Sequence, residues 1–385
     1  MSIRIVADEN IARAQEALGS YGEVRLMHGR AINREALMDA DALVVRSITQ
    51  VNSALLEDTP VRFVGTATIG TDHIDFPYIE KHGIAFADAA GGGSRSVAEY
   101  VVAALLELRE RELLSIAGEK LGVIGVGAIG RKVAELARCL GMQVLEHDPP
   151  RAAAEPGYQS VSLDAILECD AVVLAVPLNK GGEHPTLHLV DSGFLSRLKP
   201  DAILINAARG GVVDSIALKE ALHNKHLKAC VLDVWEGEPE VPVDLLSFCS
   251  IVTPHIAGYS RDGKLKGTEM MAEALARHLG VQSRWKVADV LPGEAGRLNV
   301  HGLDPLDAAH QLVSSAYDIC SDDGMLRESF SLPDQDRRKF FDGLRKNYKE
   351  RREFPAWRFV TEEAGAAAML EGLGFRRAQG IAGKV

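Results

Sequence analysis

The sequence predicts an α/β protein with two doubly wound parallel-sheet domains and a smaller C-terminal domain, which is α-rich with an α+β character. Short apolar runs alternate with helical stretches over most of the chain, as in parallel sheets covered by helices. A glycine-rich turn joins one apolar run to a helix near the middle of the chain. Beyond about residue 285 this alternation stops and charged residues become denser.

Length and composition are those of a soluble multi-domain protein. The 385 residues are too many for one ordinary core, and the hydrophobic share of 46% is typical of globular chains. The net charge of −11 argues against a nucleic-acid partner. No apolar run reaches the ~18–20 residues of a membrane span, and the first residues do not resemble a secretory signal. The five cysteines are scattered without a C-x-x-C pair, which favours a reducing cytoplasm and no metal site.

Residues 1–95 and 258–284 are the expected substrate-binding domain. A helical stretch is expected at 11–18, and a longer one at 262–279 could cross back to this domain. Polar side chains follow two of the strands, at 46–49 and 65–73. Parallel sheets bind ligands at the carboxyl ends of their strands, so these two stretches are candidate ligand contacts. The candidate strands are 3–7, 23–26, 42–45, 63–65 and 84–87.

Residues 96–257 are the expected dinucleotide-binding domain. Residues 91–94 read Gly-Gly-Gly-Ser, which suits either a hinge or a plain loop before a long apolar helix at 96–112. Six apolar runs then alternate with helices, the pattern of a doubly wound sheet. The runs begin with 120–124 and continue with 143–146, 171–176, 202–206, 229–233 and 251–253.

The turn after residue 124 carries three glycines in G-x-G-x-x-G spacing. Gly125 permits a tight turn, Gly127 lets the backbone approach a pyrophosphate, and Gly130 lets the helix pack closely on its strand. The amino end of that helix would face the phosphates. Asp148 follows the next strand, where a carboxylate binds the ribose hydroxyls of NAD and repels the extra phosphate of NADP. NAD is therefore the expected cofactor, and Arg151 is interpreted as an exposed loop charge.

Three charged side chains follow successive strands of the second domain: Arg209, Glu238 and His255. Oxidation of an alcohol removes a hydride from carbon and a proton from oxygen, and histidine is a base near neutrality. A carboxylate on its other ring nitrogen fixes the tautomer, and an arginine fork suits a substrate carboxylate. Taken singly, each residue is better explained as an ordinary surface, turn or loop residue than as a catalytic one. Together, beside the glycine fingerprint, they predict a catalytic trio.

The last hundred residues, 285–385, are expected to form a separate dimerisation domain. Charged residues of both signs crowd positions 345–352, and we interpret them as a solvated helix face in preference to an anion site. Apolar residues at helical spacing, among them Phe340 and Leu344, need a partner surface. The sequence alone therefore favours association over chemistry in this region.

These motifs resemble the D-isomer-specific 2-hydroxyacid dehydrogenases. The resemblance covers residues 1 to about 280 and rests on 125–130 with Asp148, and on 207–210, 236–239 and 253–255. It implies a flavodoxin-like substrate domain and a Rossmann cofactor domain. It also implies that the arginine at 209 binds the substrate carboxylate, that the histidine at 255 is the acid/base, and that the glutamate at 238 pairs with it.

Further motifs resemble one branch of that family, which oxidises a phosphorylated four-carbon 2-hydroxy acid during pyridoxal phosphate biosynthesis and is a homodimer. They lie at 45–47, 65–75, 254–260 and 344–353. Residues 91–94 depart from the usual joint of that branch. The resemblance implies substrate contacts at Ser47, Thr68 and Tyr259, and NAD contacts at Ile129, Val176, Ala207, Asp233 and Gly258 beside those already named. Arg46 is our first choice among several candidates for the substrate phosphate or carboxylate.

Two alternatives remain open from the sequence. One is a dehydrogenase of the same family with another substrate, such as 3-phosphoglycerate. The other is an NAD-sensing module that binds a protein partner and kept the fold. The intact trio of Arg209, Glu238 and His255 argues against the second alternative.

Overall fold

The computed structural model describes residues 3–378, and these form two compact units. The first unit comprises residues 3–94 and 260–292, and the second comprises residues 95–259 and 293–378. The outer ends of two predicted domains, at residues 1–2 and 379–385, lie outside the described residues. The division into domains 1–95 with 258–284, 96–257 and 285–385 stays a prediction.

The first unit contains a five-stranded parallel sheet in the order β2-β1-β3-β4-β5, which is the flavodoxin-like order. The chain reverses direction across the sheet between β1 and β3, so a ligand site is expected beyond the carboxyl ends of those two strands. Its elements up to residue 88 are β1 (Ile3–Asp8), α1 (Ala14–Leu18), β2 (Gly22–Met27), β3 (Ala42–Val45), α2 (Ser53–Leu56), β4 (Phe63–Thr66), α3 (Phe76–Lys81) and β5 (Ala85–Asp88).

The second unit contains a six-stranded parallel sheet in the order β7-β6-β8-β9-β10-β11. Strand β6 lies at the point where the chain changes sides, with β7 on one flank and β8 on the other. The elements are α4 (Ser94–Glu110), β6 (Lys120–Ile124), α5 (Ala128–Cys139), β7 (Gln143–His147), α6 (Pro149–Ala154), α7 (Leu163–Leu167), β8 (Ala171–Leu174), α8 (Ser192–Arg197), β9 (Ala202–Asn206), α9 (Ser215–His223), β10 (Leu227–Leu232), α10 (Val243–Leu246) and β11 (Ile251–Val252).

The remaining elements include one long helix of the first unit, α11, and a small three-stranded parallel sheet of the second unit in the order β12-β13-β14. They are α11 (Arg261–His278), β12 (Gly296–Asn299), α12 (Pro305–Ala316), α13 (Ile319–Arg327), α14 (Asp334–Lys346), β13 (Trp357–Val360), α15 (Ala364–Gly372) and β14 (Arg376–Arg377). The predicted α/β fold class, with two parallel sheets and a smaller C-terminal sheet and helices, is confirmed.

The apolar core of the second unit runs from the six-stranded sheet into the C-terminal elements. Leu105 of α4 and Val133 of α5 belong to the same buried cluster as Leu312 of α12 and Phe359 of β13. Burial of a large apolar side chain stabilises a fold by about 1.5–3 kcal/mol. The C-terminal elements are therefore packed into the body that carries the glycine loop.

Several predicted elements differ from the structure at their ends, α1 and β8 among them. Helix α1 begins at Ala14 instead of residue 11, because Arg13 has a left-handed backbone with φ of 60°. Strand β8 ends at Leu174 instead of residue 176, and the next residues turn to pack on Gly125. None of the helices in residues 3–378 combines the length and the apolar character that a membrane crossing requires.

Candidate active site

The predicted cofactor and catalytic residues of the second unit all lie at the carboxyl edge of its sheet. Parallel strands end at one edge, which brings residues distant in sequence to one side of the molecule. They are residues 125–130 after β6, Asp148 after β7, Val176 after β8, Ala207 and Arg209 after β9, Asp233 and Glu238 after β10, and His255 and Gly258 after β11.

The glycine loop has the geometry that its spacing predicts. A Cβ on Gly130 would lie 2.0 Å from the carbonyl oxygen of Gly125, so the turn and the helix can approach only without side chains. Gly125 itself has φ of 85°, which favours glycine. A Cβ on Gly127, by contrast, would meet no atom of the described chain within 4 Å. Gly127 and Ile129 thus border open space at the amino end of α5, which fits a dinucleotide pyrophosphate.

Asp148 ties the glycine loop to the strand beside it. Its Oδ2 accepts a hydrogen bond from the backbone N–H of Val126 at 2.7 Å, and its Oδ1 caps α6 through the N–H of Arg151 at 2.9 Å. Each carboxylate oxygen retains a second lone pair for a ribose hydroxyl. Arg151 is ion-paired with Glu155 at 2.8 Å and lies 3.7 Å from the ring centroid of Tyr158. The interpretation of Arg151 as an exposed loop charge is therefore wrong, because Arg151 lies in helix α6 and its partly buried side chain is occupied by these protein partners.

His255 and Glu238 form a hydrogen-bonded pair. The distance from His255 Nδ1 to Glu238 Oε2 is 2.7 Å, and Glu238 Oε1 accepts the backbone N–H of Trp235 at 2.8 Å. Burial alone would raise the pKa of Glu238, but the charge and hydrogen bond of His255, the Trp235 amide and the charge of Arg345 together hold that pKa below its usual value. Glu238 is thus an ionised partner for His255, whose Nε2 is left for a substrate.

Asp233 holds the turn that presents His255. Its buried carboxylate accepts hydrogen bonds from the backbone N–H groups of Ile256 at 2.8 Å and Ala257 at 3.0 Å, and from the hydroxyl of Thr253 at 2.7 Å. The N–H of His255 donates to the Asp233 carbonyl at 2.7 Å, and His255 has φ of 56°. A left-handed histidine is uncommon and needs such a frame around it.

The loop of Arg209 is fixed in a similar way by Asn206. The buried Asn206 amide donates to the carbonyl of Arg209 at 3.0 Å and accepts from the N–H of Ala208 at 3.1 Å. A Cβ on Gly210 would lie 2.0 Å from the carbonyl carbon of Trp235, so this loop packs directly on the backbone before Glu238. The Arg209 loop and the Glu238 loop are therefore in contact.

Arg351, in the C-terminal part of the chain, also holds the turn that presents His255. Its Nη2 donates to the carbonyls of Ala257 at 2.6 Å and Ser96 at 3.1 Å, and its Nη1 approaches the carbonyl of Ile256 at 3.4 Å. Its guanidinium carbon lies 4.0 Å from the ring centroid of Tyr317, and the residue is buried. Arg351 therefore connects the catalytic turn to the start of α4.

The interpretation of residues 345–352 as a solvated helix face is wrong for Arg345 and Arg351. Arg351 is buried because α14 ends at Lys346 and the segment after it turns inward. Arg345, in the last turn of α14, is partly buried beside Tyr259. The ring of Tyr259 makes an edge contact with Tyr348 at 5.8 Å between centroids. The predicted substrate residue Tyr259 is thus held by C-terminal side chains.

In the first unit, the predicted substrate residues follow neighbouring strands. Arg46 and Ser47 come directly after β3, at the position where the chain changes sides of the sheet. After β4, the Thr68 hydroxyl donates to the carbonyl of Gly70 at 3.3 Å and lies 2.9 Å from the hydroxyl of Thr66. Thr66 also lies 3.0 Å from His73 Nε2. This chain of hydrogen bonds fixes the loop around Thr68.

Two family models match the chain. Residues 95–257 match the D-isomer specific 2-hydroxyacid dehydrogenase, NAD binding domain, and residues 294–374 match a domain of unknown function (DUF3410). The first match spans the glycine loop and reaches beyond His255, which confirms NAD as the cofactor. The predicted assignment to an NAD-dependent oxidoreductase is confirmed as well.

Curated relatives narrow the assignment. The erythronate-4-phosphate dehydrogenase of Pseudomonas aeruginosa (strain UCBPP-PA14) is 44% identical over 362 residues, which are 93% of this chain and 95% of that protein. The chain belongs to the erythronate-4-phosphate dehydrogenase family. The enzyme of that name from Azotobacter vinelandii is 46% identical and covers 92% of this chain and 94% of its own, and that from Escherichia coli O9:H4 is 43% identical with 97% and 98% coverage. The narrower resemblance in the sequence is thereby confirmed.

Solved structures support the same fold. D-lactate dehydrogenase from Aquifex aeolicus, in complex with NAD and lactic acid, has a TM-score of 0.59 at 26% identity and covers 72% of this chain and 96% of its own. The NADPH-dependent glyoxylate/hydroxypyruvate reductase of Sinorhizobium meliloti has a TM-score of 0.62 at 25% identity and covers 72% and 94%. More than a quarter of this erythronate-4-phosphate dehydrogenase family member is therefore additional to those chains.

Sequence reasoning missed several residues of this site. Asn206, which fixes the Arg209 loop, and Trp235, whose N–H bonds to Glu238, carried no sequence signal of these functions, because an amide or an indole side chain after a strand is common. Arg345 and Arg351 were hidden in a run of mixed charges. Their position in the motif at 344–353 was the available signal.

Proposed function

We propose that this chain oxidises 4-phospho-D-erythronate with NAD to (R)-3-hydroxy-2-oxo-4-phosphonooxybutanoate, a step of pyridoxal 5'-phosphate biosynthesis. The observation that carries the proposal is the His255–Glu238 pair at 2.7 Å. It lies on the sheet edge that also bears the glycine loop, in a chain 43–46% identical to enzymes of that name. A binding module that only senses NAD would not need this pair.

His255 is the proposed base of the reaction. Its Nδ1 bonds to Glu238, so Nε2 is the nitrogen that accepts the proton of the substrate 2-hydroxyl. The ionised Glu238 stabilises the imidazolium that then forms, and it keeps the ring in the productive tautomer. When bound, NAD supplies the acceptor for the hydride that leaves carbon 2. Oxidation thus splits into a proton for His255 and a hydride for the cofactor.

Arg209 is the proposed partner of the substrate carboxylate. Its backbone is fixed by Asn206 next to the Glu238 loop, and its Nη1 donates to the carbonyl of Ala208 at 2.8 Å. A guanidinium fork matches a carboxylate and polarises the developing carbonyl next to it. Arg46, Ser47, Thr68 and Tyr259 are the further proposed substrate contacts.

The cofactor contacts follow from the open space at Gly127. Gly125, Gly127, Ile129 and Gly130 would hold the pyrophosphate, and Asp148 would hold the ribose hydroxyls. Val176, Ala207, Asp233 and Gly258 are the further proposed NAD contacts at the same sheet edge. Asp233 has a second function, since its carboxylate also shapes the His255 turn.

A homodimer is the proposed assembly, in the cytoplasm. A groove of about 1230 Å³ lies among C-terminal elements, and its apolar lining includes Met325, Phe340, Leu344 and Trp357. Met325 keeps 36% of its surface exposed, which suits burial against a second copy of the chain. Light scattering of wild type and of Phe340→Glu should give a dimer and a monomer, and an unchanged dimer would place the interface elsewhere.

One assay tests the activity. NADH formation is followed by absorbance with excess NAD and 4-phospho-D-erythronate, D-erythronate or 3-phosphoglycerate, without a keto acid that would reoxidise the NADH. The first substrate should be used best. His255→Asn should bind NAD normally and lose turnover by about two to four orders of magnitude. His223→Asn, a change on α9, is the matched control. Preference for 3-phosphoglycerate would reject this substrate but not the enzyme class.

A further inference from the structure

Arg345 is a partly buried cation whose guanidinium is hydrogen-bonded to the Tyr259 side chain and forms no ion pair with another of residues 3–378. It lies in the last turn of α14, and its Nε is buried without a hydrogen-bond partner in that part of the chain. Its guanidinium carbon lies 5.8 Å from the ring centroid of Phe341 and 5.9 Å from that of Tyr259. A desolvated guanidinium flanked by rings is costly unless an anion completes its surroundings.

The nearby acidic side chains do not supply the anion that the Arg345 guanidinium needs. Both oxygens of Glu238 are engaged, one with His255 and the other with the N–H of Trp235. Both oxygens of Asp233 are engaged by the turn around His255. Burial would lower the pKa of Arg345, but Tyr259, Glu238 and Asp233 together raise it, so the group is charged. Arg345 is therefore a cation near the His255–Glu238 pair, and no acidic side chain forms an ion pair with it in residues 3–378.

We propose that Arg345 binds the phosphate group of the substrate. This assignment rests on the proposed function. Arg209 is the partner for the carboxylate, so the second anionic group of the same molecule needs a cation of its own. A phosphate carries about 1.5–2 negative charges and three strong acceptors, which a guanidinium fork matches. The protein has a net charge of −11, so such a cation must be placed locally.

The position of Arg345 supports a specificity function. It belongs to residues 294–374, the segment that matches a family of unknown function and lies outside the match to the NAD-binding domain. It reaches the catalytic region beside Tyr259, itself a proposed substrate contact. The C-terminal region would then select the phosphorylated acid, while Arg209, Glu238 and His255 act on the hydroxy-acid end.

The competing explanation is electrostatic tuning of Glu238 by Arg345. The two explanations differ in how an Arg345 variant treats substrates with and without phosphate. A phosphate contact affects the phosphorylated substrate alone. A tuning residue affects both substrates equally and moves the acid limb of the pH profile, because it changes the proton affinity of the His255–Glu238 pair.

The test compares wild type with Arg345→Met and Arg345→Lys on 4-phospho-D-erythronate and D-erythronate. The Met variant should lower kcat/KM for the phosphorylated substrate roughly tenfold or more beyond any change in kcat/KM for D-erythronate. The Lys variant should recover part of the loss. Lys346→Met, an exposed change in the same turn, should behave as wild type. If the Met variant does not fold, the ratio of kcat/KM for the two substrates in the Lys variant tests the proposal instead.

A binding measurement separates this proposal from the proposed activity. With NAD present, 4-phospho-D-erythronate should raise the melting temperature of wild type more than D-erythronate does, and Arg345→Met should abolish that difference. If wild type showed no turnover, the proposed activity would be rejected, but the difference in melting temperature between the two ligands could still be measured. An equal loss of kcat/KM for both substrates, or an undiminished phosphate preference in the Met variant, would overturn the assignment.

Discussion

The Nη2 atom of Arg351 lies 2.6 Å from the carbonyl oxygen of Ala257, two residues beyond His255. The same guanidinium contacts the carbonyl of Ser96 at the start of α4. One buried side chain from the C-terminal region thus fixes both the turn around His255 and the helix that opens the second unit.

Arg351→Lys should slow turnover while leaving the cofactor site intact. An ammonium group has no planar fork and cannot reach the carbonyls that the guanidinium spans. A displacement of His255 by about 1 Å is enough to lower kcat about 100-fold. The measurement is kcat together with NAD affinity by fluorescence, and the affinity should stay within about twofold. Arg297→Lys, at an exposed ion pair, is the control. A kcat equal to that of wild type would show that Arg351 does not position the turn.

Glu238→Gln should lower kcat by about 10²–10⁴-fold, since an amide can neither fix the charged pair nor stabilise the imidazolium. The change should also alter the pH dependence of stability. The pKa of Glu238 is lowered in the folded protein, so its stabilising effect is complete above its ordinary value of 4.5 and is lost as pH falls through the lowered pKa.

Urea unfolding at pH 7 and near pH 3 checks the second expectation for Glu238. The free energies of unfolding of wild type and Glu238→Gln should differ more at pH 7 than at pH 3. Glu240→Gln changes an exposed glutamate two residues on and should show no such convergence. A difference that is the same at both pH values would mean that the Glu238 charge does not contribute to stability.

Gly210→Ala should damage both stability and activity, whereas Gly211→Ala should be tolerated. A Cβ at position 210 would lie 2.0 Å from the Trp235 backbone, while a Cβ at position 211 would meet its nearest atom, in Leu178, at 3.4 Å. Overpacking costs about 1–3 kcal/mol, and here it would also separate the loops of Arg209 and Glu238. Melting temperature and kcat/KM of the two variants provide the comparison. Equal behaviour of the pair would contradict the close approach.

Glu99→Gln should become progressively more stable than wild type as pH rises. Burial, with the charge of Glu353, raises the pKa of Glu99 to about 8, against the opposing charge of Arg95 and the amide of Phe354. The folded state therefore holds the proton more tightly than the unfolded state, and wild type loses stability between about pH 4.5 and pH 8.

Free energies of unfolding at pH 5, 7 and 9 check the Glu99 prediction. The advantage of the Gln variant should grow from pH 5 to pH 7, increase further to about pH 8, and then stay constant. Glu371→Gln, at an exposed position on α15, should show no such trend. A pH-independent difference for Glu99→Gln would show that this carboxyl is already ionised at pH 5.

Much of the fold could be predicted because strands of parallel sheets are buried on both faces and read as continuous apolar runs. Strand β9 was predicted with its observed bounds, Ala202–Asn206. The start of α1 was missed, because the left-handed conformation of Arg13 has no residue signature. The trio Arg209, Glu238 and His255 could be predicted because each residue follows a strand, and its catalytic function stays a prediction.

The remaining parts of the site depend on long-range packing. Arg345 and Arg351 belong to a run of charges that looks like any exposed helix face. Arg345 packs beside Tyr259 from the last turn of α14, and the turn of the chain after Lys346 carries Arg351 inward. Asp233 was predicted as a cofactor contact, whereas its hydrogen bonds to the His255 turn depend on the geometry of two neighbouring strand ends. Local sequence contains neither piece of information.

The contact between Arg351 and Ala257 also sets an order of events during biosynthesis. The two residues are 94 positions apart, and the turn is made first. A ribosome adds about 5–20 residues per second, so the turn around His255 exists for roughly 5–20 s before Arg351 has been translated. During that interval the glycine loop and most of the six-stranded sheet already exist, but the catalytic turn lacks its brace. A nascent chain should therefore acquire cofactor binding before it acquires catalytic competence.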